Sequence, residues 1–98
     1  MNQRKINPAL HRLFDAILAL RNEEECFAFF DDICTIHELE SLSQRLDVAM
    51  LLRQGKTYME ISELTGASTA TISRVNRSLQ YGSDGYELIL DRMKNKEQ

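Results

Sequence analysis

The most constraining stretch of this chain is Thr57 to Leu79, TYMEISELTGASTATISRVNRSL. It carries two helix starts and one stop at close quarters. Thr57-x-x-Glu60 is a capping box, in which the threonine hydroxyl and the glutamate carboxylate satisfy backbone N–H groups that a first helical turn leaves open. Leu64-Thr65-Gly66-Ala67 closes that helix at a glycine able to take the left-handed conformation of a C-terminal cap, and Ser68 is a good N-cap for a second helix. A chain that stops at Gly66 and restarts at Ser68 makes two helices joined by a tight turn. Ile61 and Leu64 follow the first cap as apolar positions, and Ser62 and Ala70 are small, as expected where two helices cross closely.

The second helix sorts its residues by face. Ile72, Val75 and Leu79 recur at i, i+3 and i+7 and are predicted to face inward. Thr69, Ala70, Ser73 and Arg77 fall outside that stripe. Hydroxyls, a methyl and a guanidinium suit base edges, thymine methyls and phosphates, which is the chemistry of a helix-turn-helix placing its second helix in the major groove. On that reading Lys56 and Arg77 contact phosphates, Ser68 at the helix start adds a backbone N–H contact, and Thr69, Ala70, Thr71 and Ser73 lie near base edges. Long donors are few, so water and DNA shape are expected to share in recognition. The plainer alternative is a two-helix corner of an ordinary helical domain with these side chains simply solvated.

At 98 residues the chain is expected to form one domain over residues 1–98. A chain of this size buries only about two thirds of its unfolded surface, so pairing with a second chain would help it. No apolar run approaches the ~20 residues that span a bilayer, and the N-terminus lacks a signal-peptide core, so a cytoplasmic location is expected. The net charge of −3 weighs against nucleic acid, because DNA-binding domains are often basic. Its distribution weighs the other way. Arg53, Lys56, Arg74 and Arg77 outnumber Glu60 and Glu63 between residues 53 and 80, while Glu23, Glu24, Glu25, Asp31 and Asp32 form an acidic block elsewhere.

Cys26 and Cys34, the two cysteines, would lie roughly 12 Å apart along one helix, too far for a disulfide within the chain. Buried free thiols are expected. His11 and His37 have no ligand-like neighbours, so no metal is expected. No Ser/His/Asp or Cys/His set suggests catalysis, and Asp31 and Asp32, adjacent in sequence, splay apart on a helix. The chain is not read as an enzyme.

The remaining segments all read as helices. Met1 to Ile6 are polar and expected to fray. Asn7-Pro8 starts a first helix, with Pro where its missing N–H costs nothing, and Leu10, Leu13, Phe14, Ile17 and Leu18 carry its apolar face to about Leu20. Asn22-x-x-Glu25 opens a second, with Cys26, Phe27, Phe30, Ile33 and Cys34 expected to form a packed core face. Thr35-x-x-Glu38 opens a third that runs to about Arg53 and ends at Gly55. Its Val48–Leu52 segment is apolar nearly all round, and a helix apolar on every side is buried on every side. In so small a domain that points to a partner chain, a two-fold dimer being the commonest solution. Residues 81–85 read as a loop, and Tyr86, Ile89, Leu90 and Met93 mark a last helix. The prediction is an all-α fold of six helices.

With these residues in place, the block from Thr35 to Leu79 resembles the bacterial Trp repressor family. The resemblance is carried by Ser43-Gln44-Arg45, Leu51-Leu52 followed by Gly55, Glu63-Leu64-x-Gly66-Ala67, and Ala70-Thr71-Ile72-Ser73-Arg74. With the flanking helices the chain is more similar still to the YerC/YecD branch of that family. The resemblance implies an intertwined homodimer whose two chains share a core made from the first, second, third and last helices. Each helix-turn-helix would project as a reading head, and heads ~34 Å apart would select a roughly palindromic operator in double-stranded DNA.

The resemblance also implies a corepressor pocket. Arg45 and Arg74 stand where the family has arginines that stack on the ligand ring and meet its carboxylate, as the planar guanidinium fork can. Ser78 occupies the place of a serine lining the same pocket. Val75 replaces a glycine, and its γ-methyls are expected to intrude on the ring. The reading is therefore either a different amino-acid-like corepressor or a pocket closed by Val75, with tryptophan disfavoured. Residues and resemblance together give a transcriptional regulator, a repressor, that binds its operator as a dimer. The competing reading is a helical protein-interaction or small-ligand-sensing module that has lost specific DNA reading.

Overall fold

The computed structural model describes residues 6–97, and the expected fraying of residues 1–5 lies outside them. The described residues form six helices: α1 (Pro8–Leu18), α2 (Glu23–Ile33), α3 (Ile36–Arg53), α4 (Tyr58–Thr65), α5 (Thr69–Tyr81) and α6 (Gly85–Glu97). None is long and apolar enough to cross a membrane. The chain divides into two compact units, and the division falls within α3, after Glu40.

In the first unit the helix starts are set by side-chain caps. Asn7 Oδ1 accepts the Leu10 N–H at 2.8 Å ahead of Pro8. Asn22 Oδ1 accepts the Glu25 N–H at 2.9 Å, and three glutamates in the first turn of α2 suit the positive end of its dipole. The Glu25 carboxylate in turn accepts from the Arg21 N–H, one residue earlier than a capping box would have it. Thr35 and Glu38 exchange both bonds of a full capping box at the start of α3, the Thr35 N–H donating to Glu38 at 2.8 Å and the Glu38 N–H donating to the Thr35 hydroxyl at 3.1 Å. The first of these bonds, to the Thr35 N–H, is the main reason the Glu38 carboxyl is held below its ordinary value.

Packing in this unit departs from expectation. No residue of α1 or α2 is buried. Leu18 is 82% and Phe27 70% exposed. Phe29 and Phe30 meet edge to face, with ring centroids 5.5 Å apart, but both are only half-buried. Cys26 and Cys34 are free and half-buried rather than buried. The apolar stripes are where the periodicity put them, but within one chain they have little to cover them.

The second unit holds the core. Val48 and Ala49 of α3, Ile61 of α4, Ala67 of the turn, Ile72 and Val75 of α5 and Leu90 of α6 form one buried cluster. Met50, Leu51, Leu52, Leu79 and Tyr86 pack around it half-buried. The small residue this crossing needs is Ala67, since Ser62 and Ala70 are exposed, and so is Leu64. At the far end of α3, Arg53 meets Asp91 at 2.7 Å and Glu87 at 3.6 Å on α6. These are exposed pairs, which contribute little to stability.

Helix α5 runs to Tyr81, past the expected end at Leu79, and stops for a steric reason. A Cβ at Gly82 would collide with the Ser78 carbonyl oxygen, to which the Gly82 N–H is also bonded. Only glycine fits this exit. Two residues later Asp84 takes a positive φ of 64° immediately before α6.

Ile72 sits at the centre of this core with no exposed surface. Ile72→Ala is expected to lower unfolding free energy by about 2–5 kcal/mol. Urea unfolding at a fixed protein concentration measures it, and a loss below ~1 kcal/mol would contradict the placement of this side chain in the core.

Candidate nucleic-acid interface

The helix-turn-helix is built by local chemistry at each of its four ends. At the start of α4 the Thr57 hydroxyl accepts the Glu60 N–H at 3.1 Å while the Glu60 carboxylate accepts the Thr57 N–H at 3.0 Å. The bond from the Thr57 N–H is the main reason the Glu60 carboxyl is held below its ordinary value, with the Thr57 side chain and nearby Lys56 adding to it. At the end of α4, Gly66 adopts φ 75°, and its N–H donates to the Ser62 carbonyl at 2.8 Å. The Thr65 hydroxyl donates to the Ile61 carbonyl at 2.7 Å and accepts the Ala67 N–H at 3.1 Å. From α3, the Gln44 side-chain amide donates to the Thr65 carbonyl at 3.1 Å.

Helix α5 begins at Ser68, whose hydroxyl accepts the Thr71 N–H and donates to the Thr71 hydroxyl, both at 3.2 Å. The Ser68 side chain is thus occupied as a cap. Burial of Ile72 and Val75 turns the rest of α5 outward, and Ser68, Thr69, Ala70, Ser73 and Arg77 are all exposed, as is Lys56 ahead of α4. Thr71 differs: it is half-buried beside Arg74 rather than on the outer stripe.

Ser73 and Arg77 line a shallow groove together with Asn76, Gln80 and Tyr81. The last three were missed by the sequence reading. Their signal was the helical spacing from Ser73 at i+3, i+7 and i+8.

Ser41 and Arg45 of α3 and Ala70, Thr71 and Arg74 of α5 line a second pocket of about 230 Å³. Arg45 and Arg74 are therefore brought to one place, and neither has a carboxylate partner among the described residues. The other two residues expected there are not. Val75 is in the core with 1% exposure, and Ser78 is exposed and not among the lining residues. The reason is helical geometry: Val75 is about 100° around the helix from Arg74 and falls on the Ile72 stripe. Ser41 and Ala70 were missed, although each precedes its arginine by four residues and so shares its face. Among the described residues no group of three or more His, Cys, Asp or Glu could hold a metal ion.

Because the carboxyl of Glu60 is lowered by its folded contacts, its contribution to the α4 cap is present above the ordinary glutamate pKa and is lost as pH falls through the lowered value. NMR titration is expected to place the Glu60 midpoint below that of a free glutamate, with the Thr57 amide resonance moving at the same pH. In Glu60→Gln that movement should vanish. A Glu60 midpoint at or above the free value would contradict the capping box.

A family model described as Trp repressor protein matches residues 8–94. The chain is 60% identical over 88 residues to the uncharacterised protein YerC of Bacillus subtilis, covering 90% of this chain and 85% of YerC. Among solved structures, a candidate Trp repressor from Staphylococcus aureus is 62% identical with a TM-score of 0.87, covering 90% of this chain and 88% of that one. A TrpR-like protein from Eubacterium eligens is 56% identical with a TM-score of 0.88, covering 90% and 91%. Similarity of this extent spans every helix of the fold as well as the helix-turn-helix, and the chain belongs to the Trp repressor family.

Proposed function

We propose that the protein is a sequence-specific, DNA-binding transcriptional regulator, a repressor that occupies a roughly palindromic operator as a homodimer. The observation that carries the reading is the division of α5. One stripe is locked in the core through Ile72 and Val75, and the opposite face offers exposed Thr69, Ala70, Ser73 and Arg77 at the head of a capped helix. Lys56 and Arg77 hold phosphates; Thr69, Ala70 and Ser73 meet base edges. Thr71, half-buried, contributes from the margin. Ser68 acts through its capping of the helix start, whose free N–H groups can face a phosphate.

The dimer is supported by the first unit. Helices α1 and α2 bury no residue, yet carry Phe14, Leu18, Phe27 and Ile33 in exposed positions, an apolar surface that a monomer would leave in water. A second copy would cover it and close the whole chain into a single cooperative domain.

The Arg45–Arg74 pocket is the corepressor site of this reading. Two guanidiniums with no carboxylate partner among the described residues and the hydroxyls of Ser41 and Thr71 suit the carboxylate of an amino-acid-like ligand, and Ala70 is the one apolar side chain in the lining. An indole would find little to pack on, so tryptophan remains disfavoured, on the lining of the pocket rather than on intrusion by Val75. Calorimetric titration with tryptophan is expected to give no binding heat and no change in operator affinity. A tenfold tryptophan-dependent rise in operator affinity would overturn this part of the reading.

A second reading has its own observation. Met59 is 74% and Leu64 66% exposed on α4, which suits a protein partner better than a phosphate backbone. Selection from a random duplex pool separates the two. Enrichment of two half-sites about one helical turn apart supports the dimeric regulator, and no enrichment at low salt favours the interaction module. Arg77→Ala should weaken binding to all sequences and lower the salt slope by about one unit. Changes at Thr69 or Ala70 should alter which sequence is enriched; variants that select the parent's site would refute the assignment of α5 as the reading helix.

A further inference from the structure

The last carbonyls of a helix have no partner within it and must find one elsewhere. In α4 the Thr65 carbonyl is one of these. It is met by the side-chain amide of Gln44, from 21 residues away on α3, in a half-buried hydrogen bond of 3.1 Å. Thr65 is also the residue that braces the turn, through its hydroxyl bonds to the Ile61 carbonyl and the Ala67 N–H. Two residues on, Ala67 enters the core, and Ser68 caps α5. The Gln44 amide therefore grips the turn at the point from which α5 departs.

Its neighbour on α3 acts on the next element. Arg45 lines the pocket with Ala70, Thr71 and Arg74 in the first turns of α5. Consecutive residues of α3 thus address the end of α4 and the start of α5. Gln44 makes a hydrogen bond within the protein, whereas among the described residues the Arg45 guanidinium has no carboxylate partner.

We infer that Gln44 is a positioning residue for the reading head: its amide sets the direction in which α5 leaves the turn, and so holds the head ready for DNA before any small molecule binds. This rests on the proposal that α5 reads DNA. The donor is the essential feature, because the atom it meets is a carbonyl oxygen, which accepts only.

The test uses the full-length protein and the operator selected above, with Gln44→Met removing the donor at similar length and Gln44→Lys supplying another long donor. Three quantities are read: the ratio of operator to random-duplex affinity, amide exchange at Ala67 without DNA, and the unfolding midpoint. Gln44→Met is expected to lower the affinity ratio about tenfold, the scale of one net hydrogen bond. Ala67 exchange should quicken while the midpoint of the core stays in place, and Gln44→Lys should restore most of the ratio. An unchanged ratio in Gln44→Met would overturn the inference, as would a loss that merely follows a drop in overall stability. A parent chain that selects no sequence would overturn the DNA reading itself and Gln44's role in it. The exchange measurement, made without DNA, separates that failure from a failure of the tether.

Discussion

Burial of Ile72 and Val75 in one cluster with Val48, Ala49 and Ile61 is the constraint from which the rest of the second unit follows. A helix has one circumference, and committing one stripe of it to the core determines what every other position can reach. With those two side chains fully enclosed, Thr69, Ser73 and Arg77 turn to solvent and Arg74 turns towards Arg45. The cluster tolerates only a small side chain where the chain passes from α4 to α5, and Ala67 fills that place with 1% exposure. The exposed face of α5, the arginine pocket and the turn are therefore three consequences of one packing event rather than three separate designs.

The two units illustrate opposite solutions to the small size of the chain. The second encloses a core of its own with four helices contributing. The first has well-capped helices with apolar stripes, and no residue of α1 or α2 is fully buried. Capping bonds make a helix possible, but burial supplies most of what keeps it folded. A unit like the first gains most from cover supplied by another surface, which is why the proposed homodimer is also a statement about folding.

Most of the architecture could be read from residues 7 to 68 as a series of starts and stops. Asn7, Asn22, Thr35, Thr57 and Ser68 each begin a helix, and the side chain of each makes the bond that its residue type promises. The end of α5 was less legible. Gly82 looked like part of a general loop, whereas its importance lies in the Ser78 carbonyl that any side chain there would strike. Gln44 was also opaque, since nothing in a Gln between Ser43 and Arg45 says that its amide will meet a carbonyl 21 positions later.

Local rules act over three or four residues, so capping boxes, the left-handed Gly66 and the inner stripe of α5 were all determined by sequence alone. The diversion of Thr71 into the pocket of Arg45 and Arg74 and the withdrawal of Val75 and Ser78 from it were decided only by tertiary structure. Each depends on the rotation of one helix against another. That rotation is set by how side chains far apart in sequence fill a shared core, which no local pattern encodes.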